Sequence, residues 1–596
     1  MHELLTICPT RGRPHLCKRM LDSFLRTKRV SELIFVVDGE DPELDKYICL
    51  FKSRGVDYVI QGDRGYLVDM YNSVFKAYPD YRYYHQANDD FIYRTPGWDQ
   101  AVLKFLDETT NGWGIGYAND LLQGEKLAVA SIVSGKLARA VGWLSLPTLK
   151  HLFNDNVLTV LGNSVARLFY FPDVVIEHCH VAAGKMAADK THKETNSAKR
   201  YDEDGNAFRA WLGGQSMVDA EKIIKAIHKE AGFKKAVSVC MIIKDDEKSE
   251  DIRRALESVV PWADEICAVV NWAHIPNPPR FRRIQGVINK LPIHSVVKYY
   301  RWTNFSDMRN KSIDLAQGDY VYWTDCDDVT VNPWMIKDEI FRHPRADTFK
   351  VSVISHTIAG GQEFLRQDRL FKRRQEFRFR NCVHEDIALA MLEHKAAVVS
   401  SLIEVHHMGN LNARKVAEKN RRNLRLALRD VNRPGAHSLN YFALANCLII
   451  EKKYDAAIYW IHKYFMKFDK NFKDPLTAKM YVLRGICWRK KKDRGRARND
   501  FQNATNDETS VDARINRAEM FEEEKEIDRA IIEMEDAYKI RNRMTPKLPA
   551  DVITQDKTIL RCLTKWYAET GREREARPYY VEYAQKYDQS LLTSGK

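Results

Sequence analysis

Apolar and polar residues alternate along the first third of the chain as they do in a domain built from strands and helices. Short apolar runs over residues 4–8, 32–37 and 56–60 predict strands. Between them, the helical spacing of apolar residues over 19–25 and 68–75 predicts helices. Strands that alternate with helices form a mainly parallel sheet that is covered on both faces. Residues 1–190 are therefore predicted to form an α/β domain.

The same pattern begins again after a polar stretch. Residues 187–206 are rich in Asp, Lys and Thr and are typical of a linker or a mobile lid, so we assign 191–235 to a linker or lid and a helix. Strand-like and helix-like runs then recur from residue 236 and include an apolar run at 320–324 that leads into a group of carboxylates. We therefore predict a second α/β domain of the same type over residues 236–410.

Residues 411–596 have almost purely helical spacing and contain a repeat. A small residue recurs 12 positions before an alanine, where two helices of a hairpin would cross. The four pairs are Ala445 with Ala457, Gly485 with Ala497, Ala518 with Ala530, and Thr564 with Ala576. This spacing resembles the tetratricopeptide repeat, and a generic array of helical hairpins is the alternative.

Composition narrows the class of protein. The 596 residues are 44% hydrophobic and 29% charged, which is typical of a globular protein and excludes a disordered chain or a disulfide scaffold. We find no apolar run of the ~18 residues that a membrane span needs and no secretory signal, and we expect a cytoplasmic protein. The 11 cysteines include no C-x-x-C pair, which favours reduced thiols. The net charge of +13 favours polyanionic partners such as nucleic acid, anionic lipid or nucleotide diphosphates.

Four segments of the first domain carry candidate chemistry, and each follows or adjoins a predicted strand. The turn Pro9-Thr10-Arg11-Gly12-Arg13-Pro14 comes first; backbone N–H groups and guanidinium groups there suit a diphosphate. Asp38-Gly39 ends the second strand, Arg64-Gly65 follows the third, and Asn88-Asp89-Asp90 follows an aromatic run. Adjacent carboxylates repel each other unless a cation or a proton lies between them, and hard divalent cations take such oxygen ligands.

In this order, the segments resemble a family 2 glycosyltransferase with the GT-A fold. The resemblance implies that the donor substrate is a nucleotide sugar, with a UDP-sugar as the first expectation, and that the enzyme needs Mn²⁺ or Mg²⁺. It implies that the donor is bound by Pro9, Thr10, Arg11, Arg13, Asp38, Arg64 and Asp89. It assigns the metal to Asp90, with His178 and His180, which share one face of a strand, completing the metal or diphosphate site. Asp155 matches the general base, which would make the transfer inverting.

The second domain resembles another branch of the same family. Trp323-Thr324-Asp325-Cys326-Asp327-Asp328 contains a D-x-D motif, and alternate residues at a strand end reach one cation together. The resemblance implies donor binding by Lys244, Asn271, Arg309 and Asp325, metal binding by Asp327 and His406, and Glu385 as the base. Asn271 departs from the aspartate that this branch carries, and it cannot offer an imide N–H the same pair of acceptors.

With the helical region, the second domain resembles SunS-like glycosyltransferases with tetratricopeptide repeats, whose helices help to bind partners or dimerise. Three hypotheses follow: two active transferase sites, one active site beside a binding site, or a scaffold with relic domains. The acceptor is a macromolecule, namely a protein or peptide, a surface glycan, or hydroxymethylated DNA modified by a phage-encoded enzyme. Basic clusters at 369–380 and 489–498 are candidate footprints for DNA.

Overall fold

The structure is a computed structural model that describes residues 2–62, 65–273, 275–356, 362–383, 385–409, 413–468, 475–541 and 550–587. By internal contacts, the chain divides into two compact units, Met1–Phe233 and Lys234–Lys596. In the part of the chain described, no helix is long and apolar enough to cross a membrane.

The first unit is an eight-stranded mixed sheet with helices around it. Its strands are β1 (Leu4–Thr10), β2 (Ser31–Asp38), β3 (Asp57–Gln61), β4 (Tyr83–Gln86), β5 (Phe91–Tyr93), β6 (Ile115–Asn119), β7 (Ser131–Ser134) and β8 (Leu168–His178). Its helices are α1 (Pro14–Thr27), α2 (Leu44–Arg54), α3 (Leu67–Ala77), α4 (Trp98–Thr110), α5 (Gly135–Val141), α6 (Asn154–Ser164), α7 (Lys190–Thr195), α8 (Ala198–Ala210) and α9 (Ser216–Glu230). A π-helical stretch, Trp211–Gln215, joins α8 to α9.

The second unit begins with another α/β domain. Its strands are β9 (Val237–Lys244), β10 (Glu265–Trp272), β11 (His294–Arg301), β12 (Tyr320–Thr324), β13 (Asp328–Thr330), β14 (Thr348–His356), β15 (Gln362–Lys372) and β16 (Val398–His407). Its helices are α10 (Ser249–Glu257), α11 (Pro278–Ile288), α12 (Phe305–Asp314), α13 (Met335–Arg342) and α14 (Ala388–Glu393).

The two sheets have the same topology. The first has the strand order β3-β2-β1-β4-β7-β6-β8-β5, and the second has β11-β10-β9-β12-β15-β14-β16-β13. Each pairing in one sheet has a counterpart of the same direction in the other: the strands next to β1 and β9 are parallel to them, and β7 and β15 are antiparallel to their neighbours. The chain thus contains the same α/β architecture twice.

A helical array completes the second unit. It consists of α15 (Ala413–Val431), α16 (Ser438–Ile450), α17 (Tyr454–Lys467), α18 (Pro475–Lys490), α19 (Arg494–Ala504), α20 (Val511–Glu523), α21 (Ile527–Ile540), α22 (Val552–Glu569) and α23 (Glu573–Tyr587). A short strand, β17 (Ala550–Asp551), pairs with β15 of the second sheet. The predicted fold class, two α/β domains followed by an all-α repeat, is confirmed.

The predicted pairs of small residues lie in consecutive helices, and Gly485 shows why they are small. A Cβ atom at Gly485 of α18 would come within 2.6 Å of the Phe501 ring of α19. Ala445, Ala457, Ala497, Ala518 and Ala530 are completely buried. Small side chains at these positions let the helices of each hairpin approach closely.

The hydrophobic core of the first unit lies on the sheet, where β1 and β2 are buried along most of their length. Because both faces of the parallel half are covered, polar side chains gather where the strands end. The carboxyl ends of β1, β2 and β4 meet at one edge of the sheet, the place where open α/β sheets bind ligands.

Candidate functional site

A cavity of about 320 Å³ opens at this edge of the first unit. It brings together nine of the residues that the sequence singled out: Pro9, Thr10, Arg11, Arg13, Asp89, Asp90, Asp155, His178 and His180. Asp38 lies behind them, fully buried, with Oδ2 3.5 Å from Nη1 of Arg11. Arg64, the remaining predicted donor-binding residue of this domain, lies outside the described residues.

The turn after β1 is fixed by hydrogen bonds to its neighbours. Gly12, at φ +67°, donates its N–H to Oδ2 of Asp41 over 2.6 Å. Arg13 donates its N–H to the Tyr47 hydroxyl over 2.5 Å, and Pro14 begins α1 with the fixed φ that a first helical turn needs. The guanidinium groups of Arg11 and Arg13 are thereby held at the cavity.

The two adjacent aspartates have different environments. Oδ2 of Asp89 accepts from Oγ1 of Thr10 over 2.8 Å, and Oδ1 accepts from Nη1 of Arg13 over 3.3 Å. Burial and the charge of Asp90 raise the pKa of Asp89, although Arg13 opposes the shift. Oδ1 of Asp90 is buried and makes no hydrogen bond within the described residues, but it lies 3.4 Å from Nε2 of His178.

Asp90 and His178 have the chemistry of a cation site. His178 ends β8 and pairs in register with Phe91, the residue after Asp90, so the sheet itself holds the two side chains together. Burial works against both charges, yet their ion pair lowers the pKa of Asp90 and raises that of His178. Carboxylate oxygen and imidazole nitrogen are ligands that Mn²⁺ accepts. A buried carboxylate oxygen without a hydrogen bond fits such an ion.

Asp155 stands in the first turn of α6, and strained backbone places it there. Phe153 caps this helix with φ +65°, unusual for a bulky residue, and its ring stacks on Phe208 of α8 at 5.5 Å. Nδ2 of Asn154 donates to Oε1 of Gln86 over 2.6 Å, which ties α6 to the end of β4. Burial raises the pKa of Asp155 to about 6, against the influence of His178.

The polar stretch after β8 forms a strap over the cavity. Asp189 caps α7 and accepts two hydrogen bonds from Arg13, from Nε over 2.7 Å and from Nη2 over 2.8 Å. Its position brings His192 to the cavity wall, where Nε2 is buried and makes no hydrogen bond within the described part of the chain. Lys185, just before this stretch, pairs with Glu177, with Nζ 2.9 Å from Oε1.

Sequence reasoning did not single out several cavity residues. Tyr66, His151, His192 and Arg200 line the cavity without belonging to a recognised motif. Asp204 of α8, which is buried, accepts from the N–H groups of Lys150, His151 and Leu152 over 2.7–3.0 Å and so fixes that wall. The polar composition of 187–206 was the available signal for this region, but it gave no individual contact.

The second α/β domain places its predicted residues at the equivalent edge of its sheet. Arg309 of α12 donates to Oε1 of Glu385 over 2.9 Å and to both oxygens of Asp325 over 2.8 and 3.1 Å, and it stacks on Trp323 at 3.9 Å. The predicted base therefore shares one buried guanidinium with the first aspartate of the D-x-D motif.

Three further predicted residues have other partners. Lys244 pairs with Asp246 over 2.9 Å. Nδ2 of Asn271 donates to the Ile243 carbonyl over 2.9 Å, so this side chain is engaged with the backbone. Nε2 of His406 lies 2.9 Å from Oε1 of Glu404, and its Nδ1 lies 3.2 Å from Nε2 of His356.

His407 is the histidine that reaches the aspartates, because consecutive residues of a strand point to opposite faces. Its Nδ1 lies 3.4 Å from Oδ1 of Asp327 and 2.9 Å from Oδ1 of Asp328. Among the described residues, Asp327, Asp328 and His407 form a group whose ligand atoms all lie within 4.8 Å of one another. Asp328 also pairs with the buried Arg369, so Asp327 is the carboxylate of this group that is placed to hold a cation, with His407 beside it.

Comparisons with known proteins match separate parts of the chain. No family model matches it. A TPR repeat-containing protein of Synechococcus elongatus is 31% identical over 151 residues, 25% of this chain and 34% of that protein. The chain thus spans about a third of the length of this curated relative.

Solved structures resemble the chain at low TM-scores. MamA matches 30% of this chain and 97% of its own length, with 15% identity and a TM-score of 0.23. The mannosyltransferase PcManGT from Pyrobaculum calidifontis, in complex with GDP-Man and Mn²⁺, matches 39% of this chain and 76% of its own, with 12% identity and a TM-score of 0.25. The comparisons therefore include a TPR repeat-containing protein and a mannosyltransferase.

Proposed function

We propose that the chain is a metal-dependent, inverting glycosyltransferase that uses a nucleotide sugar, with its reaction centre in the cavity of the first unit. The observation that carries this proposal is the convergence of Asp90, His178, Arg13 and Asp155 on one cavity at the carboxyl ends of parallel strands. A cation ligand pair, a guanidinium group for phosphate and a carboxylate with a raised pKa are the parts that such a transfer needs.

The chemistry follows from these positions. Asp90 and His178 would hold Mn²⁺ or Mg²⁺, which supplies positive charge against the donor diphosphate. Arg13, fixed by Asp89 and Asp189, is placed to bind a phosphate oxygen. Asp155 takes the proton of an acceptor hydroxyl, the hydroxyl oxygen forms a bond to the anomeric carbon, and the bond from that carbon to the diphosphate breaks. Attack from the opposite face inverts the anomeric configuration.

The contacts within the second domain support nucleotide binding there rather than sugar transfer. Glu385, its predicted base, is ion-paired with a buried arginine, and Asn271 donates to the backbone. We therefore propose that the first domain catalyses the transfer and that the second binds nucleotide. We place the enzyme in the cytoplasm of a bacterium or of a phage-infected host, since all 11 cysteines are free thiols. Its acceptor would be hydroxymethylated DNA, a protein or peptide, or a glycan.

A donor screen tests the proposal. UDP-, GDP-, CMP- and TDP-sugars would be incubated with wild type, Asp90→Ala and Asp327→Ala, with Mn²⁺ or EDTA, and the released nucleotide measured. Acceptors would be hydroxymethylated duplex DNA and peptides. We expect metal-dependent release of one nucleotide that is lost in Asp90→Ala and kept in Asp327→Ala. Absence of release, together with no nucleotide-sugar binding by calorimetry, would overturn the proposal in favour of a scaffold.

A further inference from the structure

Helix α15, the first helix of the repeat, starts beside the second site. The N–H of Met408 donates to the backbone carbonyl of Asp327 over 2.8 Å, where β16 ends. A Cβ atom at Gly409 would lie 2.0 Å from Oδ2 of Asp327, so a larger residue here would displace that carboxylate. Helix α15 begins four residues later, at Ala413, and four residues reach at most about 14 Å.

The far end of α15 is attached to the same site. The carboxylate of Asp430, which is buried, accepts from the N–H of Cys382 over 2.9 and 2.8 Å and from that of Val383 over 3.2 Å. These two residues lead into Glu385. The helix is therefore held at one end near Asp327 and at the other near the segment that carries the predicted base.

Two cations lie along α15 between these attachments. The guanidinium of Arg422 lies 4.8 Å from the ring centroid of Phe305, the first residue of the helix that carries Arg309. Burial lowers the pKa of Arg422, although the charge of Glu385 opposes this. Lys419 stands three residues earlier, on the same face of the helix and nearer to the end of α15 that follows the Met408–Asp327 contact.

These cations differ from the arginines around them. Arg309 pairs with Asp325 and Glu385, and Arg369 pairs with Asp328. Arg422 hydrogen-bonds to the Asn423 side chain over 3.3 Å, and within the residues the structure describes neither Arg422 nor Lys419 makes an ion pair. A partly buried guanidinium without an anion is unfavourable, so a bound anion would stabilise it.

We propose that α15 forms one wall of the second site, where Lys419 and Arg422 bind the diphosphate of a nucleotide whose divalent cation is held by Asp327 and His407. This inference rests on the proposed function, since it takes the second α/β domain to be a nucleotide site. It makes the helical repeat part of the nucleotide site, so that nucleotide binding and the position of the repeat are coupled.

The test measures binding to the second site alone. Asp90→Asn would disable the first site of the full chain, and isothermal titration calorimetry would measure UDP or GDP with Mn²⁺, with inorganic pyrophosphate as competitor. In this background we expect one remaining binding event. Arg422→Ala and Lys419→Ala should each weaken it about tenfold or more, as for loss of a charge-assisted hydrogen bond. Arg421→Ala removes the same charge from an exposed position on another face of α15, one residue from Arg422 and two from Lys419, and should leave affinity unchanged.

Each contrary result has one meaning. Equal weakening in Arg422→Ala and Arg421→Ala would show general attraction by charge and overturn the inference. Loss of all binding in the Asp90→Asn background, with nucleotide release by wild type intact, would also overturn it while leaving the proposed function standing. Circular dichroism would show whether Arg422→Ala folds. If it does not, the Lys419→Ala variant, changed at an exposed position, replaces it in the test, and an unchanged nucleotide affinity of that variant would contradict the proposal.

Discussion

Asp89 and Asp90 are neighbours in sequence, but their carboxylates meet different partners. Asp89 accepts from Thr10 and Arg13, and its two oxygens hold the turn after β1 in place. Asp90 has a buried oxygen that makes no hydrogen bond in the described part of the chain and faces His178. We infer that Asp89 acts by positioning Arg13 and that Asp90 is the cation ligand.

Substitution by asparagine should separate the two roles. Asp90→Asn should lower nucleotide release by roughly 100-fold or more, as for loss of a central electrostatic contact, and should also lower the unfolding free energy near neutral pH, because it removes the ion pair with His178 that lowers the pKa of Asp90. Asp89→Asn should leave Mn²⁺ binding intact and should not lower that free energy near neutral pH, because burial raises the pKa of Asp89 and makes its ionised form unfavourable in the folded state. Denaturant unfolding and metal titration measure these quantities. If Mn²⁺ binding is lost in Asp89→Asn and kept in Asp90→Asn, Asp89 is the cation ligand and Asp90 is not.

Asp155 gives the reaction a predicted pH dependence. A general base works when ionised, and burial raises the pKa of Asp155 to about 6. The rate should therefore fall as the pH drops through about 6. The same shift weakens the folded state as the pH rises through this range, because the buried carboxylate then becomes charged. Asp155→Asn should abolish transfer and raise the melting temperature at pH 8, with the difference disappearing near pH 4.

The control for this prediction is Asp173→Asn, which changes an exposed carboxylate of the same unit. It should leave the pH–rate profile and the melting temperature of wild type unchanged. An acid limb near pH 6 that persists in Asp155→Asn would assign that titration to another group.

The choice between His406 and His407 shows what the sequence leaves open at this scale. The pattern His406-His407 locates a histidine at the end of a late strand, but not which of the two faces the aspartates. That depends on the register of β16 against β13, where Asp328 pairs with His407. Likewise, the ion pair of Arg309 with Glu385 joins residues 76 positions apart. Motif order predicts that such residues lie close, but not that they neutralise each other.

At the scale of elements, the strap at α7 is held to the cavity by one ion pair. The bidentate contact from Arg13 to Asp189 fixes the start of α7, and Oγ1 of Thr191 adds a bond to the Arg11 carbonyl over 3.2 Å. Because Arg13 also contacts Asp89, the strap and the aspartate pair share one guanidinium. Loss of this ion pair should loosen the strap and weaken donor binding.

Asp189→Asn tests the strap. We expect the KM for the nucleotide sugar to rise about tenfold, about 1.4 kcal/mol, with a smaller change in kcat, and proteolysis within residues 185–200 to become faster. Asp202→Asn, at an exposed position of α8, is the matched control and should behave as wild type. A fall in kcat at constant KM would instead give Asp189 a part in the chemical step.

Elements with strong periodicity were predictable, and the polar connection was not. The predicted strand 320–324 coincides with β12, and the predicted first strands are extended by one to two residues in the structure. Residues 187–206 suggested a linker or a lid, but α7 and most of α8 lie there. Caps by Asp189 and Ser197 begin these helices, and α8 is fixed by Phe153 and by the loop bonded to Asp204. These contacts are tertiary, so local composition could not show them.

At the scale of the whole molecule, many positive charges are paired with carboxylates of the same chain. The net charge of +13 suggested polyanions, and two basic clusters were candidate DNA footprints. In the structure, Arg374 pairs with Asp347 and Arg380 with Glu393. Arg489 bridges to Glu519 and Glu523 of the next hairpin, and Arg498 pairs with Glu524. These arginines hold structural elements together.

The clusters should therefore contribute little to DNA binding. Arg489→Gln should lower the unfolding free energy of the repeat by about 1 kcal/mol, as expected for partly exposed ion pairs, and leave affinity for hydroxymethylated duplex DNA unchanged. Binding measured between about 50 and 200 mM salt should have a shallow slope of log K against log salt, equivalent to fewer than about three phosphate contacts. Arg421→Gln removes an exposed charge that forms no ion pair among the described residues and should not destabilise the repeat. A steep slope that falls in Arg489→Gln would restore this cluster as a DNA footprint.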